Sequence, residues 1–375
     1  MKKGPRNIIL LGSSSMFNDI GSEMITPILP FFIQALGGGG IAIGLLSGLR
    51  EGLSSLFKLF GGWFSDRIGK RMPFVFFGYL FSVIFRFLLS IANSWQLVLG
   101  FVSLERFGKL RDAPRDVIIS VSTKKIGRGF GIHQMMDTAG GIIGSIIVLF
   151  LLWKFNFNFK AIIFIAAGIS SLSLIPLFFV KEIKTPPIKR NLSKGIKHLK
   201  KRLKYFVFVA CVFTLANFGL YMFLLLRAKE ITNSMIVPII LYILFNMVWA
   251  GFTIPFGNLS DKIGRKKVLI FGYLLFFFVS LGFIFQDGLI YLFILFLLYG
   301  LVYAITQSNQ RAFVSDLAGD MKGTALGLYY SAVGVVNVFA GLIAGFLWDI
   351  SPKIMFGYLS IIALFSLILL LFVRE

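Results

Sequence analysis

Gly62-Trp63-Phe64-Ser65-Asp66-Arg67-Ile68-Gly69-Lys70 returns as Gly257-Asn258-Leu259-Ser260-Asp261-Lys262-Ile263-Gly264-Arg265, an offset of 195 (62 to 257). Outward from these stretches, Phe77-Gly78-Tyr79-Leu80 recurs as Phe271-Gly272-Tyr273-Leu274 at an offset of 194. Arg115, Gly127 and Gly131 recur as Arg311, Gly323 and Gly327 at 196. So steady an offset makes the chain two related halves in the same orientation. Gly69 and Gly264 suit a tight turn. Asp66 and Asp261 can accept charge-assisted hydrogen bonds from arginine or from a helix N-terminus. Gly62, Asp66, Arg67, Gly69, Lys70 and Arg71, with Asp261, Gly264 and Arg265, are therefore candidates for a gating cluster that holds one side closed and parts on opening.

The chain around the repeat is strongly apolar. Of 375 residues, 57% are hydrophobic and 14% charged, against about a quarter charged in soluble domains. Mean hydropathy is +0.86. Apolar runs of about 20 residues recur throughout, which reads as membrane-spanning helices. Expected spans are 8–36, 41–64, 73–92, 95–119, 129–153, 160–181, 205–228, 235–260, 267–286, 289–315, 322–348 and 353–373. The fold class is thus an all-α polytopic membrane protein: twelve transmembrane helices in two six-helix pseudo-symmetric bundles. The bundles are 1–181 and 205–375, joined by a basic linker, 182–204. Parallel repeats of this kind place a substrate site near the bilayer midplane.

The net charge of +22 sits in short connections on alternate sides of the apolar runs. This is the positive-inside pattern of a membrane protein, not a nucleic-acid-binding face, and puts both termini in the cytoplasm. In the linker, Leu192, Ile196, Leu199 and Leu203 share one helical face opposite five basic residues, which suits an interfacial helix on anionic lipid headgroups. The opening segment carries Asp19 and Glu23 and runs too long for a cleaved leader. One cysteine, Cys211, and two separated histidines leave no metal or disulfide framework. No phosphate-binding G-x-x-x-x-G-K-[ST] loop occurs, so neither ATP-driven transport nor a cofactor is expected.

Ionisable groups inside spans are costly and mark function by default. Asp19, Glu23, Glu51, Arg86, Glu105, Arg106 and Asp137 are the candidates for proton coupling or a substrate cavity, joined in the second half by Asn217 and Asn246. On the fourth span Glu105, Lys109, Asp112 and Asp116 share a face, with Arg111 and Arg115 beside it. Its last members read as a salt ladder. Gly131, Gly140 and Gly144 on the fifth span read as helix-packing positions.

Gly62 to Arg71 resembles the G-x-x-x-D-R-x-G-R-[RK] loop of the major facilitator superfamily, with Lys70 in place of the first closing arginine. The second copy, Gly257 to Lys266, is similar, and the resemblance covers the whole chain. Gly131, Gly140 and Gly144 resemble the start of an antiporter motif of that superfamily, which departs at Ser145 and Val148-Leu149. Arg106 stands where the superfamily keeps a mid-membrane arginine, though Lys109-Leu110 replaces the usual glutamine-glycine. The string Arg106 to Asp116 resembles a multidrug-efflux-like branch. The resemblance implies a non-enzymatic secondary transporter of the cytoplasmic membrane, monomeric and working by alternating access. It implies proton-coupled efflux of amphipathic or cationic compounds; uptake of a polar nutrient or organic anion is the alternative.

Overall fold

A computed structural model of the chain describes residues 4–123, 126–182, 199–285, 288–319 and 322–373. Every regular element among them is helical. The first part of the chain forms α1 (Gly4–Ile25), α2 (Leu29–Ala35), α3 (Gly40–Ile68), α4 (Met72–Ser90), α5 (Trp95–Glu105) and α6 (Asp112–Ser122). Next come α7 (Ile126–Phe155), α8 (Phe159–Ser171) and α9 (Leu174–Leu177). The later part forms α10 (Lys201–Ala216), α11 (Tyr221–Thr232), α12 (Ile236–Ile263), α13 (Arg265–Gly282), α14 (Leu289–Ala318), α15 (Lys322–Ile350) and α16 (Pro352–Leu371). Most of the basic linker, with its expected interfacial helix, lies outside the described residues.

Among the described residues, eight helical stretches, Met72–Ser90, Arg128–Phe155, Phe159–Leu177, Lys201–Thr232, Ile236–Ile263, Leu289–Ala318, Thr324–Ile350 and Pro352–Leu371, are long and apolar enough to cross a membrane. Of the four expected spans outside these eight, the second carries Arg50, Glu51 and Lys58, and the helix of the ninth opens on Arg265, Lys266 and Lys267. The first is broken by a 3₁₀ turn at Thr26–Ile28, where Pro27 and Pro30 remove backbone donors. The fourth is broken by a 3₁₀ stretch at Arg106–Arg111. Pro114, four residues beyond Leu110, has no N–H to offer the Leu110 carbonyl, so the α ladder cannot run through. Two of the eight also depart from the expected spans: the seventh is interrupted between Ala216 and Tyr221. The sixth ends early, at Leu177, beside Pro176. Beyond it Asn7 and Lys181 exchange hydrogen bonds, side-chain amide to backbone, at 3.1 and 3.2 Å.

The chain forms two compact units. The first comprises Met1–Gly37 and Leu53–Arg190. At one end its core gathers Ile8, Leu11, Val75, Tyr79, Ile118, Ile119 and Leu177. Glu182 caps α4, accepting from the backbone N–H of Arg71 (3.2 Å) and Met72 (2.9 Å). Within the unit α1 lies along α7, where Gly140 and Gly144 rest on the backbone of Met16 and Ile20. Gly131 meets nothing, so it takes no part in that seam, contrary to the packing role expected for it.

The second unit comprises Gly38–Gly52 and Asn191–Glu375. The first half of α3 thus belongs with it rather than with the segment 1–181. The cause is a stripe of glycines four apart. A methyl on Gly40, Gly44, Gly48 or Gly52 would strike the α15 backbone at Gly345, Gly341, Asn337 or Gly334. Only hydrogen at these positions lets the two helices approach so closely. The Asp349 carboxylate closes the seam, accepting from the N–H of Gly40 (2.6 Å) and Ile41 (3.0 Å) at the start of α3.

Candidate functional site

The first unit buries a charged cluster where α1, α4, α5 and α8 meet. Arg86 on α4 is its centre. Its Nη2 donates to Glu105 Oε1 at 3.1 Å. Its Nη1 donates to the Asn18 carbonyl (2.9 Å), Asn18 Oδ1 (3.1 Å) and Ser170 Oγ (2.6 Å). The Arg86 side chain is 4% exposed and that of Glu105 8%. Arg106, at the start of the 3₁₀ stretch, donates to the other oxygen of Glu105. Its Nε is buried without a partner among the described residues. Asn18 passes the contact on, donating to Asp19 Oδ1 at 3.1 Å. Two guanidinium groups thus share Glu105, and Asp19 is the second carboxylate that brings the set to neutrality.

A second cluster lies beyond the 3₁₀ stretch, at the start of α6. Asp112 has Lys58, Lys109, Arg111 and Arg115 within 3.4 to 3.9 Å. The expected linear ladder is therefore a radial arrangement of four cations about one carboxylate. Glu105 and Asp112 stand on opposite sides of the 3₁₀ stretch, which shifts the facing that a continuous α-helix would give. Arg111 also donates to the Gly78 carbonyl (3.3 Å) and to Ser82 Oγ (2.8 Å), and lies over the Tyr79 ring.

The remaining candidates separate. Asp137 pairs with His133 at 3.3 Å. Glu23 lies beside Gly141. Glu51 belongs to the second unit, beside Gly219. Asn217 accepts from the Tyr299 hydroxyl at 3.1 Å, and Asn246 turns back to its own helix at the Tyr242 carbonyl. Asn18, Ser170 and His133 were not singled out in the sequence. Neutral polar residues stand out little among many serines and asparagines; the signal that could have found His133 is its i, i+4 spacing to Asp137.

The repeated loop keeps one local geometry twice. Ser65 and Ser260 turn their hydroxyls to the carbonyls of Gly62 (3.0 Å) and Gly257 (2.7 Å). The N–H groups of Gly69 and Gly264 donate to Ser65 (2.9 Å) and Ser260 (3.1 Å). Both glycines have positive φ, +73° and +99°. In the first copy Arg67 is exposed over Trp63, Lys70 is exposed and Arg71 is buried. In the second, Arg265 pairs with Asp261 and reaches Asp316 on α14 at 3.2 Å.

Apolar helices of spanning length, a doubled loop and a buried intramembrane charge cluster define a multi-pass membrane transporter. The sequence model of the Major Facilitator Superfamily matches residues 11–252 and 233–375, and the chain belongs to that family. It is 49% identical to an uncharacterised MFS-type transporter of Methanocaldococcus jannaschii, over 98% of this chain and 95% of that one. It is 25% identical to the multidrug resistance protein MdtH of Proteus mirabilis, over 93% and 90% of the two chains. Among solved structures it resembles a variant of the nucleoside transporter NupG, with a TM-score of 0.85 at 13% identity over 98% of this chain and 100% of that one. A POT family transporter in complex with 5-aminolevulinic acid gives a TM-score of 0.84 at 13% identity, covering 99% and 98%. At such identity these last two share the fold alone.

Proposed function

We propose that the chain is a proton-coupled secondary transporter with twelve crossings of the cell membrane, both termini cytoplasmic, that exports amphipathic or cationic compounds. The observation that carries this reading is the buried set Arg86, Glu105, Arg106 and Asp19. A buried carboxylate between cations holds its proton or releases it according to how solvent and cations reach it. Alternating access changes both, so the proton loads from one side and leaves to the other. Export to a multidrug spectrum is supported by the likeness to MdtH. The alternative, uptake of a polar nutrient or organic anion, draws on the excess of cations around Asp112.

The test is transport in proteoliposomes under an imposed pH gradient, with a fluorescent organic cation as probe. Export predicts proton-driven movement of the dye that falls at least tenfold in Asp19→Asn or Glu105→Gln. Unchanged proton coupling in both variants would remove the reading; movement of carboxylate probes but not of cations would select the alternative.

A further inference from the structure

Glu51 is a charge that the Arg86 cluster does not use. It stands in the second unit, about 17 Å along α3 from Gly40, near the middle of a bilayer's hydrocarbon core. Its side chain is half-buried, and no cation lies within ion-pair distance of it among the described residues. A charge at that depth is costly and is ordinarily paired.

Beside Glu51 a spanning helix is broken. Between Ala216 and Tyr221 the seventh span leaves the α conformation. Non-helical backbone at membrane depth persists where protein buries it or where it lines a cavity, and discontinuous helices form binding sites in transporters. Here side chains hold the break. Ser47, one turn before Glu51 on α3, donates to the Gly219 carbonyl at 2.6 Å. A methyl on Gly219 would strike Ser47 and touch Glu51. Asn217 Oδ1 and the Phe218 carbonyl accept from the hydroxyls of Tyr299 (3.1 Å) and Tyr303 (3.5 Å) on α14. Three consecutive residues of the break thus gather one carboxylate and two phenols.

Further rings adjoin the phenols. Tyr303 lies 5.0 Å from Tyr299, 5.1 Å from Phe245 and 5.3 Å from Trp249, centroid to centroid. Tyr299 and Phe245 are buried, whereas Trp249 and Asn217, like Glu51, keep part of their surface open. Both phenol protons are engaged by the break, so the rings have their π faces and oxygen lone pairs left to offer, all of them negative. Aromatic faces beside an unpaired carboxylate attract a cation. A proton on Glu51 would cancel its charge but would give the rings no part.

We propose, resting on the export reading above, that Glu51, Trp249, Tyr299 and Tyr303 recognise the charged group of the substrate, and that this group is a single positive charge without N–H, of the quaternary ammonium or phosphonium kind, carrying aromatic substituents. One carboxylate balances one charge. The oxygens of Asn217, Phe218 and Gly219 already accept from Tyr299, Tyr303 and Ser47. A primary ammonium or a guanidinium would therefore give up its water for too few acceptors, whereas a quaternary cation has no hydrogen bonds to lose.

The test is equilibrium binding of radiolabelled tetraphenylphosphonium to the full-length protein in detergent. Saturable binding is expected in the parent, weakened by about tenfold or more in Glu51→Gln. Tyr303→Leu weakens it by about tenfold, while Tyr303→Phe, which keeps the ring, stays within about threefold of the parent. In competition, benzyltrimethylammonium displaces the probe better than benzylammonium does. No saturable binding in the parent, or equal affinity in Glu51→Gln, overturns the site; equal competition by the two amines overturns the preference for a cation without N–H. The parent chain supplies a measurement that needs no variant: a hydrophobic carbodiimide labels Glu51, read by peptide mass, and tetraphenylphosphonium slows that labelling. Labelling of Glu51 at an unchanged rate also overturns the site. A chain that binds the cation but does not move it under a pH gradient strikes the export reading and leaves this site standing.

Discussion

Arg86 Nη2 donates to Glu105 Oε1 at 3.1 Å, and every other described bond of that guanidinium goes to a neutral oxygen on α1 or α8. Glu105 has a second cation, Arg106, on its other oxygen. The pair is therefore asymmetric. Arg86 depends on Glu105 for its counter-charge, whereas Glu105 does not depend on Arg86 alone. Hydrogen bonds from one guanidinium also tie together four helices whose apolar faces carry no orientation of their own.

Stability should follow that asymmetry. Glu105→Leu leaves two buried guanidinium groups without their shared carboxylate, and breaking a buried pair in this way costs about 3–5 kcal/mol. Arg86→Met leaves Glu105 paired with Arg106 and should cost clearly less. Thermal unfolding in detergent, followed by intrinsic fluorescence, ranks the two. In the double variant the loss should fall below the sum of the single losses, because the residues interact directly. Equal losses in the single variants, adding without interaction, would mean that the pair does not hold the unit together.

Arg86→Lys separates charge from geometry. An ammonium keeps the positive charge but not the planar fork that spans Glu105, Asn18 and Ser170. The expected result is a protein that purifies as a monodisperse species yet transports at least tenfold more slowly under a pH gradient. Activity within twofold of the parent would show that charge alone suffices.

How much of this was legible in the sequence depended on periodicity and charge. The doubled loop gave the tandem repeat, and the apolar runs gave most helix positions to within a few residues. Arg86, Glu105, Arg106 and Asp19 stood out because charges in apolar runs are conspicuous. That they meet was not legible, since it rests on Asn18 and Ser170, which are neutral, and on helix rotations fixed by tertiary packing. The break at Arg106–Arg111 had its cause in plain view at Pro114. The ionisable residues keep a helical spacing across it, which hides the break. The glycine stripe at Gly40, Gly44, Gly48 and Gly52 does not stand out in a chain with 39 glycines. Its meaning comes from the matching small residues on α15, almost 300 positions away.

Asp349 offers a test of that seam within the second unit. Its carboxylate holds the first two N–H groups of α3. Asp349→Ala should cost about 1 kcal/mol, as loss of a helix cap does, while Asp349→Asn should cost less because an amide oxygen still accepts. The charge-dependent part should shrink in high salt. Chemical denaturation of the purified protein at low and high salt measures both. No difference between Asp349→Ala and the parent would show that the cap contributes nothing.

The repeated loop contrasts two glycines seven residues apart. Gly264 has φ +99° and ψ 142°, a backbone conformation that a Cβ makes strained. Gly264→Ala should destabilise by about 1–3 kcal/mol. Gly257 lies inside α12, and a methyl there would meet nothing within 4 Å. Gly257→Ala gains helix propensity and should leave stability unchanged or raise it, by at most about 1 kcal/mol. Both glycines belong to the repeated motif, so a role common to the motif predicts similar losses of transport for the two substitutions. Backbone strain predicts opposite effects on unfolding temperature. If Gly257→Ala abolished transport while raising the unfolding temperature, the methyl would be blocking a movement rather than damaging the fold, as a gating loop that must part on opening requires.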